Sequence, residues 1–157
     1  MVFDARECVA LLEQCDGDMP LIALLEELQA HYRYLPRPAL LLLSERLGIP
    51  LSQIYSVATF YGAFSLTPRG RHLVSVCVGT ACHVRGSGRV LERVGARLGI
   101  GPGETSADME YTLHTVNCLG ACALGPVMVV DGEYHGQMSP AKVDTLLARD
   151  DRKGGNP

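Results

Sequence analysis

The stretch His72-Leu73-Val74-Ser75-Val76-Cys77 does most to decide the fold of this chain. Its β-branched and apolar residues predict a strand that runs straight into a cysteine. A second strand is predicted over residues 111–116, and Cys118 follows it closely. Ligands of open α/β sheets bind beyond the carboxyl ends of the strands. We therefore expect both cysteines to lie at that edge of a sheet.

The segments around these strands predict an α/β domain with a sheet of about four strands. A helix is predicted over residues 87–98, where apolar residues recur at helical spacing. Residues 127–130 and 133–136 flank Asp131-Gly132, a dipeptide typical of tight hairpin turns. Ser139 is a candidate N-cap for a final helix.

The first part of the chain has a helical pattern instead. Leucines at helical spacing predict one helix around residues 21–28 and another between Pro36 and Gly48. Ser52 is a candidate N-cap for a third helix, and residues 4–14 predict a further short one. A helical bundle is therefore expected before the sheet.

The turn Thr67-Pro68-Arg69-Gly70 marks the predicted domain boundary. We expect an N-terminal helical bundle over residues 1–68 and the sheet domain over residues 69–149. The polar segment 150–157 is predicted to be a frayed tail.

Composition restricts the class of protein. With 47% apolar and 20% charged residues among 157, the chain has a globular balance. The net charge of −3 gives no basic excess that would favour nucleic acid or a membrane surface. No secretory signal is recognisable, and the longest apolar run, Ala39–Leu43, is too short to span a bilayer. We expect a cytoplasmic protein, in which clustered cysteines indicate metal or redox chemistry.

Four cysteines lie in two glycine-containing loops, Cys77-Val78-Gly79-Thr80-Ala81-Cys82 and Cys118-Leu119-Gly120-Ala121-Cys122. Soft thiolate donors suit iron–sulfur chemistry. Glycines lack a Cβ, so backbone N–H groups can approach the bridging sulfides. The spacing favours an iron–sulfur cluster but does not distinguish [2Fe–2S] from [4Fe–4S]. The candidate ligands are Cys77, Cys82, Cys118 and Cys122.

Two other cysteine chemistries fit this spacing less well. Structural zinc usually takes C-x-x-C knuckles, which neither loop has, and a zinc-stabilised assembly module is the alternative interpretation. A thiol oxidoreductase also uses C-x-x-C and needs one pair only. Cys8 and Cys15 are interpreted as core residues.

Residues beside these sites have less specific patterns. His83 is expected to form a hydrogen bond or to lie at a partner surface, because all four cysteines are present. Arg85 and Arg89 belong either to a solvated or docking face or to the tuning of the cluster's charge. The aromatic segment 59–64 is interpreted as interior packing, with an interface as the functional alternative.

Three stretches carry a family resemblance: Val57-Ala58-Thr59-Phe60-Tyr61, residues 76–86, and the pattern that begins at Asp108 and ends at Val130. Over residues 20–148 the chain resembles the small thioredoxin-like [2Fe–2S] subunit of NADH dehydrogenases, which is also found in NAD-linked hydrogenases and formate dehydrogenases. Tyr111 stands where phenylalanine is more usual in that family.

The resemblance implies a thioredoxin-like domain preceded by a helical bundle, and one [2Fe–2S] cluster held by the four cysteines of the two loops. It implies a larger flavoprotein partner that binds FMN and NAD(H), together with further iron–sulfur subunits. The chain would exchange single electrons with that FMN and would turn over no substrate by itself. It would lie in the cytoplasm or at the cytoplasmic side of a membrane complex.

Overall fold

The structure, a computed structural model, describes residues 4–14 and 19–153. The chain divides into two compact units, Met1–Arg69 and Gly70–Pro157. That the two parts are separate folding domains stays a prediction.

In its described residues, 4–14 and 19–69, the first unit consists of four helices packed around a leucine-rich core. Its helices are α1 (Ala5–Gln14), α2 (Leu21–Tyr32), α3 (Arg37–Leu47) and α4 (Leu51–Phe60). Gly48 ends α3 with a φ of 63°, as expected for the residue after a helix. The largest buried side chains of this core are Leu12, Leu25, Leu28, Leu35, Leu40, Leu43 and Ile54.

Prolines, and not a serine, precede α2, α3 and α4 of this unit. Pro20, Pro36 and Pro50 stand immediately before α2, α3 and α4. The prediction of Ser52 as an N-cap was wrong, because Ser52 lies inside α4 and the Pro50 carbonyl accepts the Ile54 N–H at 3.3 Å. The fixed φ of proline already prepares the chain for a helix, so no side-chain cap is needed.

Within residues 70–153, the second unit is a four-stranded sheet with three α-helices. Its strands are β1 (His72–Cys77), β2 (Tyr111–Val116), β3 (Met128–Val130) and β4 (Glu133–His135), in the order β2-β1-β3-β4. Strands β1 and β2 are parallel, whereas β3 is antiparallel to both of its neighbours. Its helices are α5 (Thr80–Val84), α6 (Ser87–Leu98) and α7 (Pro140–Lys153). The predicted α/β class and the number of strands are confirmed.

Short sequence patterns determine the hairpin turn and the start of the last helix in this unit. Asp131 and Gly132 both have positive φ values, 49° and 89°, and form the predicted hairpin turn between β3 and β4. The Ser139 hydroxyl accepts the Lys142 N–H at 3.4 Å at the start of α7. Helix α7 continues through Lys153, into the segment predicted to be frayed, and residues 154–157 lie outside the described residues.

Helices α6 and α7 cover one face of the sheet. The shared core comprises Val74, Val76, Val90, Val94, Leu113, Met128, Val130, Val143 and Leu147. This packing fixes β1 and β2 side by side, so their carboxyl ends meet at one edge. Among the described residues, no helix has the length and apolar character required to cross a membrane.

Candidate metal centre

Cys77 is held by the sheet itself. It is the last residue of β1 and lies opposite Val116 of β2. Its N–H donates to the Val127 carbonyl at 3.0 Å, and the next N–H, that of Val78, donates to Val116 at 2.8 Å. Since β1 is bonded on both sides at this point, the backbone of Cys77 has little freedom to shift.

Cys82 lies on the short helix α5 and faces the same interior. Cys77 and Cys82 are only 3% and 2% exposed, and they form a small cluster with Val127. Leu119 and Ala121 from the second loop pack against this cluster. The first pair is therefore buried by residues of both cysteine loops.

Cys118 and Cys122 are exposed by comparison. Cys118 follows β2, and Cys122 begins a 3₁₀ turn that extends to Leu124. Their sulfur atoms are 4.0 Å apart. Two thiolates bound to one tetrahedral metal by bonds of about 2.3 Å are separated by about 3.8 Å. The spacing of this pair is therefore suited to a shared metal.

The two glycines of the loops serve different purposes. A Cβ on Gly79 would lie 2.0 Å from the Asn117 carbonyl oxygen, so only glycine lets the first loop approach the end of β2 this closely. Gly120 instead has open space around it and a φ of 75°, a conformation that favours glycine. Its N–H lies 3.4 Å from the sulfur of Cys118.

Backbone donors surround the buried pair. Burial raises the pKa of the Cys77 thiol, but hydrogen bonds from the Gly79 N–H, the Cys82 thiol and the Leu119 N–H bring that pKa below its usual value. Burial and the hydrogen bond with Cys77 raise the pKa of Cys82. Of the two buried thiols, Cys77 is therefore the one that loses its proton more readily.

The two pairs also influence each other electrostatically. A hydrogen bond with Cys118, and then the charge of Cys118, raise the pKa of the Cys122 thiol, and Cys77 adds to the effect. The charge of Cys122 likewise raises the pKa of Cys82. Four thiolates at one place repel one another, and a positively charged metal centre relieves this repulsion.

The sulfur atoms form two pairs and do not converge on a point. In the described part of the chain, no three Cys, His, Asp or Glu side chains are placed to hold a metal ion between them. A [2Fe–2S] cluster contains two irons that share four thiolates. The donor set, with one hydrogen-bonded sulfur pair in each loop, therefore fits a two-iron cluster.

Other predicted residues lie at the surface. His83 is exposed, in keeping with the expectation of a surface position. Phe60, predicted to pack inside, is 80% exposed at the end of α4, whereas Phe64 is buried in the helical core. Cys8 is buried in that core as predicted, and Cys15 lies outside the described residues.

Residues 10–150 match the family of thioredoxin-like [2Fe–2S] ferredoxins. The chain belongs to this family. It is 34% identical to the NADP-reducing hydrogenase subunit HndA of Solidesulfovibrio fructosivorans, over 91% of this chain and 84% of that protein. It is 40% identical to an NADH-quinone oxidoreductase subunit of Rhizobium meliloti, over 76% of this chain and 71% of the relative.

A solved NAD⁺-reducing [NiFe]-hydrogenase in the air-oxidised state shares the fold of this ferredoxin-family chain. The TM-score is 0.71 at 24% identity, over 82% of this chain. The match spans only 23% of the longer hydrogenase chain. The predicted family and the [2Fe–2S] cofactor class are thus confirmed, whereas the assignment of ligands is a proposal.

Proposed function

We propose that this thioredoxin-like [2Fe–2S] protein is an electron-transfer subunit. Its single cluster would be held by Cys77, Cys82, Cys118 and Cys122. The observation that carries the proposal is that two cysteine pairs lie in the loops after two adjacent parallel strands and influence each other electrostatically. When bound, a [2Fe–2S] cluster supplies one-electron redox chemistry.

The protein contributes position and hydrogen bonds to this chemistry. The sheet holds Cys77 and the apolar cluster around it excludes water from the buried pair. N–H groups of Gly79, Leu119 and Gly120 donate toward cysteine sulfurs and stabilise negative charge there. Exposed Cys118 and Cys122 leave the other half of the site open to a redox partner.

The partner we propose is a larger flavoprotein subunit that binds FMN and NAD(H). A flavin accepts a hydride as two electrons, and a one-electron carrier is needed to pass them on singly. This chain has no dinucleotide fingerprint of its own: Gly86 has a φ of 98° and precedes α6, so Gly86-Ser87-Gly88 is a helix entry. Nicotinamide and flavin binding are therefore assigned to the partner.

The parent complex is proposed by class. Relatives are named as subunits of NADH-quinone oxidoreductase and of an NADP-reducing hydrogenase. We propose a multisubunit oxidoreductase of these classes, or an NAD-dependent formate dehydrogenase, with further iron–sulfur subunits. The chain would lie in the cytoplasm or at the cytoplasmic side of a membrane complex.

The test begins with protein purified without oxygen and analysed for iron, sulfide and zinc. We expect iron and sulfide in equal amounts, and reduction of the cluster by NADH only when the co-expressed flavoprotein subunit is present, as followed by electron paramagnetic resonance. Zinc without sulfide would establish the alternative, a zinc-stabilised assembly module. A cluster that NADH and the flavoprotein together leave oxidised would contradict the electron-transfer role.

A further inference from the structure

Arg85 connects the two cysteine loops. It lies three residues after Cys82, at the end of α5. Its Nη1 atom donates to the carbonyl of Cys122 at 2.6 Å and to that of Ala123 at 3.2 Å. These carbonyls belong to the 3₁₀ turn that carries the exposed cysteine. One side chain from the first loop therefore holds the backbone of the second.

Close packing at Gly125 supports this contact. A Cβ at Gly125 would lie 3.3 Å from the Cys82 sulfur and 3.4 Å from the Arg85 Cδ atom. Gly125 is buried, and its own N–H donates to the Cys122 carbonyl at 3.2 Å. The absence of a side chain here lets the Arg85 stem pass beside a cysteine sulfur on its way to the second loop.

The guanidinium charge is not neutralised nearby. Within the described residues, Arg85 forms no ion pair with a carboxylate. The sequence contains no Asp or Glu in residues 72–91 or 111–130, the segments that carry the cysteines. The positive charge of Arg85 is thus free to act on the thiolates and on any anionic centre they hold.

We propose that Arg85 is a positioning residue for the cluster, which holds the second cysteine loop in place and supplies a positive charge that favours the reduced state. The inference rests on the proposed [2Fe–2S] site. Reduction adds one negative charge to the cluster, so a nearby cation stabilises the reduced form more than the oxidised one. Loss of this cation shifts the reduction potential to more negative values.

The test compares Arg85→Gln, Arg85→Lys and Arg89→Gln in the isolated holoprotein. Arg89 is the matched control: its guanidinium lies against Gly86, and no hydrogen bond joins it to the second loop in the described structure. Two quantities are measured, the rate of cluster loss to an iron chelator and the midpoint potential in a titration with a chemical reductant.

For Arg85→Gln we expect cluster loss about tenfold faster, the usual scale for removal of an outer-shell partner, and a more negative potential. Arg85→Lys retains the charge but not the planar donor, so its potential stays at the wild-type value while its cluster is lost at an intermediate rate. Arg89→Gln leaves both quantities unchanged.

An unchanged potential in Arg85→Gln, or a cluster lifetime equal to that of Arg89→Gln, overturns the proposal. If Arg85→Gln yields no holoprotein, the result for Arg85→Lys is used instead. Faster cluster loss at the wild-type midpoint potential supports the proposal, whereas a cluster lifetime equal to that of the wild type overturns it. None of these measurements needs the flavoprotein. Failure of the proposed function would show instead as a wild-type chain without a [2Fe–2S] cluster, or as one that NADH and the flavoprotein leave oxidised.

Discussion

The first and second cysteine pairs occupy opposite kinds of surroundings. Cys77 and Cys82 are buried between a central strand and a short helix, whereas Cys118 and Cys122 are exposed on a loop and a 3₁₀ turn. Core packing positions the first pair. The second pair depends on backbone contacts, namely the approach of Gly79 to Asn117 and the hydrogen bonds from Arg85. The first pair is thus held in place by burial, and the second by contacts between the two loops.

The largest expected effect comes from replacing one proposed ligand in the buried pair and one in the exposed pair. Cys77→Ser should yield no holoprotein, because the bonded strand cannot move to bring a shorter serine oxygen to the metal. Cys118→Ser should yield a cluster that forms but is lost quickly, because the exposed loop can adjust. Visible absorbance, with iron and sulfide per chain, measures both outcomes.

Cys8→Ser is the control for this pair of variants, because Cys8 lies in the core of the helical unit. It should retain a full complement of iron and sulfide. Equal cluster loss in Cys8→Ser and Cys118→Ser would show that the ligands are assigned incorrectly.

Alanine at the two loop glycines should give the next largest effect. Gly79→Ala places a Cβ 2.0 Å from the Asn117 oxygen, and overpacking against backbone should lower the free energy of unfolding by about 3 kcal/mol. The Cβ of Gly120→Ala meets no neighbour. This variant should lower the free energy of unfolding by about 1 kcal/mol, because alanine is strained in the left-handed conformation of this position.

Urea denaturation of the apoprotein measures this difference. Gly62→Ala serves as the control, since a Cβ there meets open space and its φ is not positive. Equal destabilisation by Gly79→Ala and Gly120→Ala would mean that the close approach of the two loops is absent in solution.

Alkylation of the apoprotein should distinguish the two cysteine pairs through a smaller effect, the order in which their thiols react. We expect iodoacetamide to modify Cys118 and Cys122 before Cys77 and Cys82, because access limits the reaction of the buried thiols even though the pKa of Cys77 is lowered. Mass spectrometry of peptides at several times identifies the order. Simultaneous labelling of all four cysteines would contradict the difference in burial.

The smallest expected effect concerns the entry to β2, the strand that precedes the exposed pair. Two hydrogen bonds to its carboxylate lower the pKa of Asp108. The Ser106 hydroxyl donates the one with the larger effect, and the Glu110 N–H donates the other at 3.1 Å. A lowered pKa in the folded state means that this carboxylate stabilises the protein above its unfolded pKa of about 3.9, and that the stabilisation is lost as the pH falls through the folded value.

Asp108→Asn should therefore be slightly less stable than the wild type near neutral pH, and the difference should vanish in acid. Thermal unfolding at a series of pH values follows this change. A difference that is the same at every pH would show that the charge of Asp108 contributes nothing.

Local elements were largely predictable because their signals are local. The period of apolar residues predicted α6 at its observed bounds, and Asp131-Gly132 predicted the hairpin. Helix α5 was missed, since five residues are too few to display a helical period. The start of α4 was predicted wrongly because Pro50 and Ser52, two residues apart, are both start signals for a helix, and the proline is the one that precedes the first turn.

The sequence by itself determined that four cysteines follow two strands in glycine-containing loops, and the family resemblance specified the cofactor class. Only the tertiary structure decided which pair is buried, why Gly79 must lack a side chain, and that Arg85 reaches the carbonyl of Cys122. The physical reason is the separation along the chain between the residues that determine each feature. Strands, turns and helix ends depend on neighbours along the chain, whereas burial and the contacts between the two loops join residues that only the sheet brings together.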